Sequence, residues 1–259
     1  ETPPIRFVGV LQFPAASGTG IALSPDGTLL AWAGSLDNLT EWALFALSLA
    51  GGEVRRLAGT EGGVQPAFSP DGRWIAFVAV SGSRGWLRKA PVSGGPVVTV
   101  AEIPFFPLGL AWGPDRRIFL GGGRTREGLQ WIPDAGGDLR ELTRPDLTRE
   151  AGHFLPSLTP DGRGLLFTSR PHPFGAFARV EVLALATGAR HVLVEDCADG
   201  RYVPSGHLVC MRQGTLLAAP FDVERLRLAG PPVSVRERVL QSPNPNGGAA
   251  HSGPGQFAV

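Results

Sequence analysis

Short apolar runs alternate with polar turns along the whole chain. Leu29-Leu30-Ala31-Trp32-Ala33, Trp74-Ile75-Ala76-Phe77-Val78, Ile118-Phe119-Leu120, Leu165-Leu166-Phe167-Thr168 and His207-Leu208-Val209-Cys210 each follow a tight turn, and another short apolar segment precedes that turn. Near-continuous apolar runs of about four to six residues read as strands buried on both faces, whereas a helix needs apolar spacing of about 3.6 over ten or more residues. No segment shows the helical spacing convincingly.

The turn itself repeats. Ser24-Pro25-Asp26-Gly27 recurs as Ser69-Pro70-Asp71-Gly72, Gly113-Pro114-Asp115-Arg116, Thr159-Pro160-Asp161-Gly162 and, weakened, Val203-Pro204-Ser205-Gly206, the prolines stepping by 45, 44, 46 and 44 residues. Proline presets φ for the first turn position, aspartate bonds the local backbone, and glycine takes the left-handed conformation of a bulged hairpin. A third strand follows in each unit. A glycine turn (Gly51-Gly52, Gly94-Gly95, Gly136-Gly137 and, singly, Gly188) then leads to a fourth. Four strands per ~45 residues is the period of a propeller blade, a sheet that hides its apolar faces only by stacking on its neighbours.

The expected fold is therefore all-β: a single β-propeller domain, 1–259, of four-stranded blades spanning 20–58, 64–102, 108–143, 153–195 and 200–236. Segments 5–12 and 255–259 read as strands of a split further blade. A six-bladed plan with the last blade incomplete is favoured, and five blades closed by terminal strands is the alternative. Exposed edges of an incomplete blade invite pairing with another chain.

Composition changes this picture little. Basic and acidic residues number 24 and 23, so no net field gathers nucleic acid or anionic lipid, and neither is expected as a partner. No apolar run approaches the ~20 residues of a membrane-spanning helix, so direct membrane insertion is not expected. Lys89 is the sole lysine and reads as a trace of genome composition. Cys197 and Cys210 are the only cysteines. Two small, partly buried thiols are the leading reading, and a single disulfide, implying an oxidising compartment, is the alternative.

The Ser-Pro-Asp-Gly turn followed by Leu-Ala-Trp or Ile-Ala-Phe resembles the WD-repeat-like propeller repeats of TolB and of the non-catalytic domains of prolyl oligopeptidases. The stretch Tyr202 to Val233, with Val203-Pro204-Ser205-Gly206-His207-Leu208-Val209 and Gly214-Thr215-Leu216-Leu217-Ala218-Ala219-Pro220-Phe221-Asp222, is similar to the propeller that follows the kinase domain in certain bacterial serine/threonine protein kinases. Asn246-Gly247-Gly248 and Gln256-Phe257 fit the same pattern. That resemblance implies a non-catalytic sensor or interaction region outside the cytoplasm, periplasmic or at the cell surface.

Catalytic signatures are missing. Ser81-Gly82-Ser83-Arg84-Gly85 lacks the leading glycine of a nucleophile elbow, and Gly121-Gly122-Gly123-Arg124 lacks the lysine and hydroxyl residue of a phosphate loop. His153, His172, His191, His207 and His251 never fall at metal-ligand spacing. No cofactor or metal is expected, and Asp26, Asp71, Asp115 and Asp161 read as turn residues. The loops after the second and fourth strands vary, and they share one face of the disc. Variable loops on a rigid frame usually carry binding. Phe105, Phe106, Arg124, Arg126, Phe154, His172, Phe174 and Tyr202 are the candidate residues there, aromatics and arginines suited to a protein or small-molecule partner.

Overall fold

The first, second and fourth repeated turns close their hairpins by the same hydrogen bonds. In the first, the Ser24 amide donates to Leu29 O (2.8 Å), Gly27 N–H donates to Ser24 O (2.8 Å), and the Ser24 hydroxyl donates to Asp26 Oδ1 (2.5 Å). Gly27, Gly72, Gly162 and Gly206 adopt φ between 67 and 80°, the left-handed region that the turn demands. The computed structural model describes residues 20–35, 42–81, 84–123, 126–171, 178–241 and 255–259.

These hairpins build five antiparallel sheets. The first holds β1 (Ile21–Leu23), β2 (Leu29–Ser35), β3 (Trp42–Ser48) and β4 (Val54–Arg56); the second holds β5 (Gly63–Phe68), β6 (Trp74–Ser81), β7 (Arg84–Pro91) and β8 (Val98–Ile103). The third holds β9 (Leu110–Trp112), β10 (Arg117–Leu120), β11 (Gln130–Pro133) and β12 (Arg140–Glu141); the fourth holds β13 (Glu150–Leu158), β14 (Gly164–Pro171), β15 (Arg179–Ala184) and β16 (Arg190–Val194). The fifth runs β17 (Ala198–Val203), β18 (His207–Arg212), β19 (Thr215–Asp222) and β20 (Arg227–Leu228), and β21 (Val233–Arg236) also pairs with β19. The described residues thus form an all-β propeller of five blades, four-stranded apart from the added β21 of the fifth, which is the alternative of the two blade counts. The expected strand at 5–12 lies outside the described residues.

The core lies between blades. Leu44, Ile75 and Phe77 pack between the first and second, Leu87, Ile118 and Ile132 between the second and third, Phe119, Leu165 and Phe167 between the third and fourth, and Leu166, Val182 and Leu208 between the fourth and fifth. Burying each such side chain contributes about 1.5–3 kcal/mol, which no blade could gain alone. A polar clasp reinforces the third interface. Leu129 N–H donates to Thr143 Oγ1 (2.8 Å), Thr143 Oγ1 meets His153 Nδ1 (2.8 Å), and His153 Nε2 meets Glu150 Oε2 (3.1 Å). This order assigns the proton of His153 to Nε2. Arg190 bridges Glu150 and Glu181, both almost wholly buried. Burial alone would raise the Glu150 pKa, but hydrogen bonds from His153, Arg190 and the Asp146 amide outweigh it and hold the carboxyl well below its ordinary range.

Inner strands β1, β5, β9, β13 and β17 line the hub. Gln65, Leu155 and Asp199 have φ of 57, 53 and 54°, each inside a bulge of its inner strand at the same distance before the repeat proline. The bulge bends these three inner strands alike. Each blade packs on the next from first to fifth. Among the described residues, no strand of the fifth blade packs comparably on the first. Segment 255–259 sits against the fifth blade at the hub: Gly255 N–H donates to Asp199 Oδ2 (2.9 Å) and Arg201 Nη1 to Phe257 O (2.6 Å).

Cys197 and Cys210 form a disulfide, so the expectation of two thiols is corrected. Cys197 precedes β17 and Cys210 lies in β18, so antiparallel pairing of these two strands brings them to a Cα separation of 6.0 Å.

Candidate functional site

Two regions carry unusual chemistry, the variable-loop face and the hub. On the variable-loop face the segment Phe105 to Leu108 lies along Gly121 to Gly123. Leu108 N–H donates to Gly122 O (3.3 Å), and a Cβ on Gly121 would stand 2.1 Å from Leu108 O. The three glycines let two backbones touch, which explains them without a phosphate. Phe106 is exposed (42%), and Phe105 is half-buried beside Gly123. Arg126 is exposed at φ 80°, its amide bonded to Ala151 O. Phe105, Phe106 and Arg126 therefore flank one loop cluster.

The other expected residues separate. Phe154 is buried (2%) with Leu108 and Leu155, because the bulge after it turns the ring into the core. Tyr202 lies at the far end of β17, next to the 203–206 turn, and packs edge-on to Phe221 (6.3 Å), so it belongs to the tight-turn side. Arg124, His172 and Phe174 lie outside the described residues.

Sequence reasoning missed Arg170. Its guanidinium is buried over the Phe154 ring (4.6 Å), and Nε and Nη1 have no hydrogen-bond partner among the described residues. Burial pushes its pKa down to about 10. Nothing in the local sequence Thr168-Ser169-Arg170-Pro171 distinguishes it from a solvated strand end.

At the hub, a cavity of about 280 Å³ is lined by Ile21, Leu23, Leu110 and Leu158 together with Gln65, Ser157, Asp199 and Arg201. Arg201 grips Asp199 by two bonds of 2.9 Å and covers the Phe257 ring at 4.3 Å. The hub acid and base are committed to each other and to segment 255–259. Among the described residues, no group of three or more His, Cys, Asp or Glu side chains could hold a metal.

The repeated aspartates serve their turns. The hydroxyls of Ser24 and Ser69 hold Asp26 and Asp71 below the ordinary carboxylate range; at Asp161 burial opposes the shift, and bonds from Thr159 and Arg163 outweigh it.

A propeller of four-stranded blades, each packed on the next, is the class that this geometry defines. Its fold is similar to that of TolB. The chain superposes on TolB from Acinetobacter baumannii with a TM-score of 0.65 at 19% identity, over 85% of this chain and 54% of that one. The putative TolB from Agrobacterium tumefaciens gives 0.57 at 19% identity, over 67% and 63%. The propeller domain of the Trilobed protease from Pyrococcus furiosus, described as having an open velcro topology, gives 0.53 at 12% identity, over 87% and 84%. In sequence, 126 residues (46% of this chain) are 32% identical to Tricorn protease homolog 1 of Streptomyces coelicolor and cover only 11% of that protein. No protein-family model matches the chain. No described helix is long and apolar enough to cross a membrane.

Proposed function

We propose that this propeller is a non-catalytic binding module whose variable-loop face engages a protein or small-molecule partner. The observation that carries the reading is the pairing of exposed Phe106 and Arg126 on one loop cluster, while the hub acid and base are already spent on each other. An aromatic anchor beside an arginine, held by rigid blades, is the composition of an interaction hot spot. The disulfide favours an oxidising, extracytoplasmic compartment, in line with the likeness to TolB.

Within this reading, the stretch Tyr202 to Val233 supports a sensor region attached to a bacterial serine/threonine kinase. The match to Tricorn protease homolog 1 supports an accessory propeller of a peptidase. An upstream kinase domain and membrane helix in the same reading frame would decide for the first, and a downstream protease domain for the second.

Photo-crosslinkers at positions 106 and 126, compared with one at Val192 on the outer strand of the fourth blade, test the face in the native cell. Adducts confined to 106 and 126, and lost on Phe106→Ser with Arg126→Glu at unchanged melting temperature, are expected. Equal labelling at 192 would reject the face.

Scaffolding by self-association is a second reading, favoured by the lack, among the described residues, of packing between the fifth and first blades comparable to that between the others. Light scattering distinguishes it, since a monomer at all concentrations removes it.

A further inference from the structure

The third repeat departs from the others at points that converge in space. Where Gly27, Gly72, Gly162 and Gly206 end their turns, it has Arg116, held at φ 64°, a conformation that costs a non-glycine residue. Where Ser24, Ser69 and Thr159 supply the turn hydroxyl, it has Gly113; where Leu23, Phe68 and Leu158 stand, it has Trp112.

The second blade adds a further departure at the same interface. Lys89 stands opposite Ala76 in β7, the register position that Ala46, Val182 and Ala218 fill with apolar side chains in three other blades. Its ammonium lies 5.4 Å from the Trp74 ring and 5.8 Å from Trp112, and donates to the backbone carbonyl of Asp134 (2.7 Å). Arg116 grips the Asp134 carboxylate through Nε (3.2 Å) and Nη2 (3.1 Å). These side chains and Asp71 line a cavity of about 440 Å³ between the second and third blades, on the tight-turn face. That volume lies within the range of small-molecule sites.

We infer that this cavity binds a small monocarboxylate with a flat apolar body, its carboxylate on Lys89 and its body against Trp74 and Trp112. Among the described residues Lys89 has no carboxylate partner within 4.0 Å, and only one of its three N–H donors is used. An ammonium half-hidden between indoles, in no direct ion pair and with two donors to spare, calls for an acceptor anion. The anion carries a single charge, because the Asp71 and Asp134 carboxylates at the same cavity would repel a dianion. Arg116 is a positioning residue. It fixes Asp134, whose carbonyl aims the ammonium. The strained turn is then the conformational cost of the site rather than of the fold. This inference is independent of the variable-loop face, so either can fail alone.

Phenylacetate, phenylacetamide and phenyl phosphate are the probes, titrated into the whole chain and followed by the indole N–H signals of Trp74 and Trp112, which Trp74→Phe and Trp112→Phe identify. Phenylacetate is expected to move both signals with millimolar affinity, as befits so small a ligand, and to bind about tenfold or more tightly than the amide or the phosphate ester. Lys89→Met should remove that preference. Should Lys89→Met fail to fold, Arg116→Gly, which restores the repeat's own residue, should keep the melting temperature while weakening phenylacetate several-fold. Unmoved indole signals up to about 20 mM, equal binding of the amide, or unchanged affinity in a folded Lys89→Met or Arg116→Gly protein would each overturn the inference.

Discussion

Replacing Glu150 by glutamine should loosen the joint between the third and fourth blades while hardly changing its shape. Glu150 accepts from Arg190, from His153 Nε2 (3.1 Å) and from the Asp146 amide (2.9 Å), and its side chain is only 9% exposed. Glutamine keeps one carbonyl oxygen, but its amide must point donors at His153 or Arg190, which are donors themselves. Hydrogen bonds to charged groups contribute about 1.5–3 kcal/mol each, and breaking a buried pair costs about 3–5 kcal/mol. Arg190 is 27% exposed and keeps Glu181, so the loss falls below that range, at about 2–3 kcal/mol.

Urea denaturation at pH 7 is the assay. With a slope near the upper end of about 1–3 kcal/mol per molar urea, the midpoint should fall by roughly 1 M. The pH dependence supplies a sharper check. Glu150 has a folded pKa below its ordinary 4.5, so its contribution is complete above that value and is lost as pH falls through and below it. Glutamine cannot titrate. The gap between wild type and variant must therefore narrow below about pH 4.5, while the turn aspartates contribute equally to both proteins and cancel. A gap that stays constant down to pH 3, or a midpoint unchanged at pH 7, would refute the clasp.

Three further perturbations follow from the geometry. Reducing the Cys197–Cys210 disulfide, which closes a separation of 13 residues, should cost about 3 kcal/mol, seen as a lowered melting temperature with thiol labelling of both cysteines by mass spectrometry. Gly121→Ala would press a Cβ against Leu108 O and should destabilise by more than about 2 kcal/mol, measured by the same denaturation; an unaffected protein would show that the two loops do not touch. Arg170→Met should stabilise by about 1–3 kcal/mol, since it replaces an uncompensated buried cation by a thioether over the same ring; a loss of stability would mean that the guanidinium has an anionic partner.

The repeat made most of the fold legible in advance, because a turn that needs proline, aspartate and glycine at fixed offsets is written locally. Segment 255–259, read as a strand on its likeness to Gln65-Pro66-Ala67-Phe68, makes only one isolated bridge, Gly255 to Gln241. The disulfide was not legible, since a spacing of 13 residues fits both a hairpin bridge and two separate thiols until the strand register is known. Phe154 and Tyr202 failed as surface residues for another reason. A bulge of one inner strand turned Phe154 inward, and Tyr202 lies at the tight-turn end of β17, away from the variable-loop face. Period-2 reasoning loses its phase at a bulge.

A repeat protein also supplies its own reference, and that gives the third blade its weight. A left-handed turn residue is expected to be glycine, as it is in four of the five units, so an arginine there at φ 64° needs an offsetting interaction. Its bridge to Asp134 cannot be that by stability alone, because the Arg116 side chain is 75% exposed and such pairs contribute about 0–1 kcal/mol. The lysine opposite Ala76 is unfavourable in the same sense, a cation where three other blades are apolar. Two locally costly choices that meet at one cavity, each neutral or harmful to folding when taken alone, are hard to account for by packing. Their common effect is to present one ammonium between two indoles, and that is a property of a site rather than of a hub.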